Sequence, residues 1–127
     1  MAIFSHIVVG TNDLEKARGF YDDTLGALGI KRLIDLPARS IWGNGVPEFI
    51  VTKPIDGDAA SHGNGNTIGF LAADSGAIDK FYAAALAKGG VCEGKPGLRP
   101  QIPGLYGAYV RDPDGNKLCA LHFGKPE

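Results

Sequence analysis

The feature that most constrains this 127-residue chain is that its order of elements occurs twice. A β-branched, apolar run over residues 3–9 leads into Thr11-Asn12-Asp13, a helix starter. Leu14, Ala17, Phe20, Tyr21, Leu25 and Leu28 then recur at three- and four-residue intervals. That spacing predicts a helix with one apolar face, Glu15 stands three after Asn12 as in a capping box, and Gly29 supplies the stop. The pattern begins again with a strand over 67–72, a cap at Asp74 or Ser75, and the apolar series Ala77, Ile78, Phe81, Tyr82, Ala85 and Leu86 before Gly89-Gly90. An offset of 61 carries Phe20-Tyr21 onto Phe81-Tyr82, Asp13 onto Asp74 and His6 onto Thr67.

Three strands are expected after each helix: 30–36, 39–43 and 48–53 in the first half, 91–93, 106–111 and 117–123 in the second. Residues 94–104 read as a Pro/Gly-rich loop. The chain is therefore read as α+β, with two βαβββ modules in one domain over 1–127. Half-modules 1–55 and 65–127 are joined by the Gly-, Asp- and Ser-rich stretch 54–66. Agreement of strand, cap, aromatic pair and terminal glycine favours duplication over a chance likeness between two amphipathic helices.

Composition removes several function classes. Hydrophobic residues at 44% and charged residues at 21% suit a globular chain with its own core. A formal net charge of −1 and no basic run longer than Lys31-Arg32 argue against nucleic acid or an anionic membrane as partner. No stretch approaches the roughly 20 apolar residues of a membrane span, and MAIFSHIVVG lacks signal-peptide layout. Cys92 and Cys119 without CxxC spacing suit a reducing cytoplasm, which is the expected location.

Strand alternation assigns faces. Ile7 and Val9, Phe49 and Val51, Ile68 and Phe70, and Leu118 and Ala120 are expected beneath the helices. His6 and Val8, then Glu48, Ile50 and Thr52, then Thr67, Gly69 and Leu71, and finally Lys117, Cys119 and Leu121 fall on the far side. That far side is partly apolar, and so is either a packing surface or a pocket wall.

The doubled β-α-β-β-β order, a histidine beside the first strand, and DPDGN at Asp112–Asn116 before the last strand together resemble the vicinal oxygen chelate superfamily of glyoxalase I, bleomycin-resistance proteins and extradiol dioxygenases. The likeness runs from Ser5 to His122, and the DPDGN turn is its most specific part. It implies a curved mixed sheet around a pocket, a small-molecule ligand and a homodimer. In metal-using members it also implies a divalent ion that stabilises a developing enediolate. Carried over residue by residue, the metal positions are His6, Ile50, Thr67 and Cys119, and only His6 keeps a favoured ligand. The expectation is therefore a degenerate metal site. If an ion is held at all, His6, Glu48 and Cys119 are the ligands, and a divalent metal is the conditional cofactor.

His6 and Glu48 are the candidate acid–base residues. Trp42, Ile50, Thr67, Arg99, Tyr106, Cys119 and Leu121 are the candidate ligand-binding residues, with His6, Glu48, Thr67 and Cys119 on the pocket floor and Trp42, Arg99 and Tyr106 near its mouth. Cys119 is read first as a small apolar wall residue, and second as a nucleophile paired with His6. Arg99, with Gln101, Tyr106 and Tyr109, could orient an anionic or oxygenated ligand, against solvated-loop and core readings of the same residues. His62 is read as a surface histidine, and Asp112 and Asp114 as turn residues. The functional expectation is a binder of a small, largely apolar molecule. A metal-dependent lyase of the lactoylglutathione lyase type or a dioxygenase is one alternative, and a non-catalytic interaction module is another.

Overall fold

The computed structural model describes residues 3–124. Each half is built as expected, in the order strand, helix, three strands. β1 (Ile7–Gly10), α1 (Leu14–Gly26), β2 (Lys31–Leu36), β3 (Arg39–Gly43) and β4 (Phe49–Thr52) form the first. β5 (Ile68–Leu71), α2 (Ser75–Ala87), β6 (Val91–Leu98), β7 (Leu105–Arg111) and β8 (Lys117–Phe123) form the second. The two four-stranded sheets have the matching orders β1-β4-β3-β2 and β5-β8-β7-β6, and in each the first strand lies parallel to the last.

The helix starts follow from carboxylate capping. Asp13 accepts from Lys16 N at 3.1 Å and Asp74 from Ala77 N at 2.8 Å, each meeting an N–H that the first turn leaves unpaired. The cap is thus Asp13 rather than Asn12. Glu15 does not reach back as in a capping box; it pairs with Arg18 instead. Gly29 and Gly89 have φ of +81° and +93°, the left-handed backbone that a helix stop needs.

Strand bounds depart from the expectation by one residue at several ends, Glu48 falling just before β4, and by more at β1 and β6. β1 and β5 start later, so His6 and Thr67 each stand one residue before their strand. β6 continues to Leu98, through Gly94, Pro96 and Gly97, where a loop was expected. It is an edge strand with register shifts at Cys92/Gly94 and Gly94/Gly97, and an edge tolerates the donor that proline lacks.

The helices cover one side of both sheets, and one core joins the halves. Phe20, Tyr21 and Leu25 of α1 and Ile78, Phe81 and Ala85 of α2 pack with Trp42, Phe49, Val51, Val110, Leu118 and Ala120. The Phe49 and Phe70 rings meet edge-on at 5.3 Å across the two sheets. A polar tie reinforces this apolar seam. Fully buried Tyr21 donates to Asp112 Oδ2 at 2.5 Å, and Asp112 Oδ1 accepts from the N–H groups of Asp114 and Asn116, both at 2.9 Å. The DPDGN turn therefore locks the second half onto α1, and Asn116 Nδ2 donates onward to Gly10 O at 3.2 Å. No helix among the described residues is long and apolar enough to cross a membrane.

Candidate functional site

β1 and β5 are the outer strands of their sheets, and two clefts open between them. One, of about 450 Å³, gathers Phe4 to Ile7 with Ile68 to Leu71, together with Leu28, Ile30, Trp42, Asn44, Glu48 and Phe49. The other, of about 570 Å³, gathers Ile7 to Gly10 with Asn66, Thr67 and Ile68, and with Ser61, Gly63, Gly65, Asn116 and Lys117. The start of one strand thus lies opposite the end of the other, as a two-fold relation between the halves requires.

That relation overturns the expected convergence. His6 and Thr67 are matched positions of the repeat, so the two-fold sends them to opposite ends of the gap: His6 lines the first cleft and Thr67 the second. Cys119 lines neither, and lies beside its register partner Tyr109 on the far side of the second sheet. Positions 6, 67 and 119 therefore face three environments within one chain.

The first cleft does unite His6, Glu48 and Trp42. Its walls are the core-edge side chains Ile7, Leu28, Ile30, Phe49, Ile68 and Phe70, and its polar groups are grouped at the rim. His6 Nδ1 lies 2.9 Å from Ser5 Oγ, and Glu48 Oε1 accepts from Asn44 N at 3.0 Å. Both side chains are exposed. Trp42 is fully buried, with its indole N–H on Asp22 Oδ1 at 3.1 Å and its ring against Tyr21 and Phe49. It forms part of the cleft's back wall rather than of its mouth.

The other expected residues scatter. Ile50 pairs with Val8 and Ile41, both neighbours on the far side of the first sheet. Tyr106 is placed differently from the expectation. It shares the helix-covered side with Ala108 and Val110, and its hydroxyl donates to Asp79 Oδ1 of α2 at 2.7 Å. Applying period-two alternation to β7 would have shown this, since Ala108 and Val110 are plainly core residues. The same alternation puts Tyr109 on the far side, beside Arg99, Lys117, Cys119 and Leu121. Burial pushes the Cys119 thiol above its ordinary value, against the opposing pull of Lys117, Tyr109 and Arg99. A neutral thiol is a poor nucleophile, and His6 lies in another environment, so a Cys119–His6 pair does not form within the chain.

A bound divalent ion needs three or more protein donors around one point. Among the described residues no three His, Cys, Asp or Glu side chains gather around one point. His6 and Glu48 share the first cleft, while Cys119 lies apart. These residues do not fit a three-ligand site within one chain.

The sequence reading passed over Phe4, Ser5, Leu28, Ile30 and Asn44 as cleft residues, because their contribution depends on how the halves meet. The model for the Glyoxalase/Bleomycin resistance protein/Dioxygenase superfamily matches residues 3–120. A crystal structure of a glyoxalase/bleomycin resistance protein from Albidiferax ferrireducens T118 is 48% identical, with a TM-score of 0.88 over 95% of this chain and 98% of that one. The fold is also similar to a glyoxalase/bleomycin resistance protein/dioxygenase family enzyme from Burkholderia phytofirmans PsJN (18% identity, TM-score 0.73, covering 96% and 99%). The lactoylglutathione lyase from Agrobacterium tumefaciens shares it too, at 23% identity and a TM-score of 0.65, covering 95% and 92%. No curated protein matches the chain.

Proposed function

The chain belongs to the Glyoxalase/Bleomycin resistance protein/Dioxygenase superfamily, and from that premise we propose that it binds a small, largely apolar molecule in the cleft beside His6 and Glu48. The observation that carries this reading is the division of the roughly 450 Å³ cleft into apolar walls from both halves and a polar rim of Ser5, His6, Asn44 and Glu48. Apolar walls supply affinity through area removed from water, while a few rim groups orient the ligand. Where the bound molecule has an acidic C–H or O–H facing the rim, His6 or Glu48 is the group placed to take the proton. The resemblance ties lyase and dioxygenase chemistry to a bound metal, and among the described residues no three donors gather for one.

The active form is proposed to be a homodimer. Val8, Ile50, Ile41 and Ile34 are aligned by register across the far side of the first sheet, and Val8 and Ile34 are 48% and 41% exposed. A contiguous β-branched row in water favours a covering partner, and a second copy provides one of matching chemistry. The two free thiols agree with a cytoplasmic setting.

A thermal-shift screen of neutral, apolar metabolites tests the binding reading. A ligand at 100 times its dissociation constant adds about 2.7 kcal/mol, roughly 10 °C for a chain of this length. Leu71→Glu, at the exposed lip of the cleft, should abolish that shift while leaving the unliganded melting temperature within about 2 °C. Absence of any shift across the screen refutes the reading. A near-stoichiometric divalent ion in protein purified without chelator, lost on His6→Ala, overturns its metal-independent part.

A further inference from the structure

The two clefts carry opposite charges at equivalent places. Ile7 and Ile68 are matched positions of the repeat, and they pair with Phe49 of β4 and Leu118 of β8. The residues just before those partners, Glu48 and Lys117, are therefore matched as well. Glu48 lines the first cleft and Lys117 the second. No lysine or arginine lines the first cleft, and Glu48 is its one carboxylate. The walls differ too. No aromatic side chain lines the second cleft, whereas the first has Phe4 exposed at its lip and Phe70 half-buried inside, backed by Phe49 and Trp42.

Glu48 is held by its backbone on both sides. Its N–H donates to Trp42 O at 3.0 Å and its carbonyl accepts from Ile7 N at 3.0 Å, which ties it to β3 and β1 at once. Its side chain uses one oxygen: Oε1 accepts from Asn44 N at 3.0 Å. Among the described residues Oε2 has no hydrogen-bond partner, and the carboxylate enters no ion pair. His6 adds to the rim. In the tautomer that donates from Nδ1 to Ser5 Oγ, 2.9 Å away, Nε2 offers a second acceptor.

Resting on the cleft reading above, we propose that the ligand class of the first cleft is a primary alkylamine with an apolar body. Its ammonium sits at Glu48 Oε2 and its hydrocarbon part lies against Phe4, Ile30 and Phe70. An ammonium gives the unpartnered oxygen a charge-assisted donor, and accessible ring faces favour a nearby cation over a neutral group. The body removes apolar surface from water. An anionic ligand of the same shape meets Glu48 with no cation lining the cleft to offset the repulsion, so the site discriminates by charge as well as by shape.

The test is a ¹H–¹⁵N correlation titration at pH 7 and constant ionic strength with 3-phenylpropylamine, 3-phenylpropanol and 3-phenylpropionate, which differ only in their end group. Backbone amides of residues 5–7 and 69–71 report on the cleft. The amine should move them saturably and bind about fivefold more tightly than the alcohol, with the carboxylate weakest. Glu48→Gln keeps an oxygen for Asn44 N, and should bring the amine down to the affinity of the alcohol while leaving the alcohol itself unchanged. Should that variant fail to fold, the ranking on wild type and its collapse in high salt decide the matter. Equal binding of amine and alcohol, tighter binding of the carboxylate, or amine affinity unchanged in Glu48→Gln overturns the proposal and leaves the cleft reading standing. Cleft amides unmoved by both amine and alcohol overturn it too, and the broader thermal-shift screen then judges the cleft reading separately.

Discussion

Replacing Tyr21 by Phe removes a single hydroxyl from the seam between the halves and leaves the ring in place. The ring packs against Phe20, Phe49 and Trp42 at centroid distances of 4.9, 5.0 and 5.7 Å, so no cavity opens. What is lost is the bond to Asp112 Oδ2, which keeps only Asn116 Nδ2 at 2.9 Å. A hydrogen bond to a charged group contributes about 1.5–3 kcal/mol. With an unfolding entropy near 2.1 cal/mol/K per residue, a chain of this length should lose roughly 6–11 °C in melting temperature.

The loss should also depend on pH in a defined direction. Burial is the main cause that raises Asp112 above the usual carboxylate value, while the Tyr21 hydroxyl and Asn116 pull it down. For an acid raised in the fold, the associated stability is fully present below the unfolded pKa and is lost as pH rises through the folded one. Tyr21 opposes that loss by favouring the carboxylate. The Tyr21→Phe deficit should therefore be largest at pH 7 and shrink toward the value of a neutral hydrogen bond, about 1 kcal/mol, as the solution approaches pH 4. Calorimetry at both pH values on wild type and variant measures it. A variant that melts within 1 °C of wild type at pH 7, or a deficit that grows on acidification, refutes the reasoning.

Two further outcomes can be measured on the same protein. Iodoacetamide at pH 7.5 should modify exposed Cys92 and leave Cys119 largely unreacted, because burial keeps that thiol protonated; two fast additions by intact mass would contradict it. Val8→Glu should convert a species of twice 13.3 kDa into one of 13.3 kDa in sedimentation with little change in fold, whereas a wild-type monomer at micromolar concentration would rule out the proposed dimer.

How much of this was legible in the sequence depends on the range of the interaction. Both helices were visible because each buries one stripe, and that stripe repeats within a single turn of chain. The inward sets Phe49 and Val51, Ile68 and Phe70, and Leu118 and Ala120 followed from alternation alone. β6 was misjudged because Gly94, Pro96 and Gly97 are turn signals everywhere except on a bulged edge. Tyr106 lies on the helix side, away from Arg99, because strand alternation in phase with Ala108 and Val110 outweighs nearness in sequence.

The sequence by itself determined the doubled βαβββ order, helix starts close to residues 12–13 and 74–75, and which side of β1, β4, β5 and β8 meets a helix. These depend on contacts a few residues apart or on strict periodicity. Only the tertiary structure decided that His6 and Thr67 part company, that Cys119 lies apart from the His6 and Glu48 cleft, and that Arg99 and Lys117 flank Tyr109. Those outcomes depend on the two-fold placement of one half against the other, set by the shared core and the Tyr21–Asp112 tie. No local pattern encodes that placement, because matched repeat positions look alike in sequence and are sent to opposite ends in space.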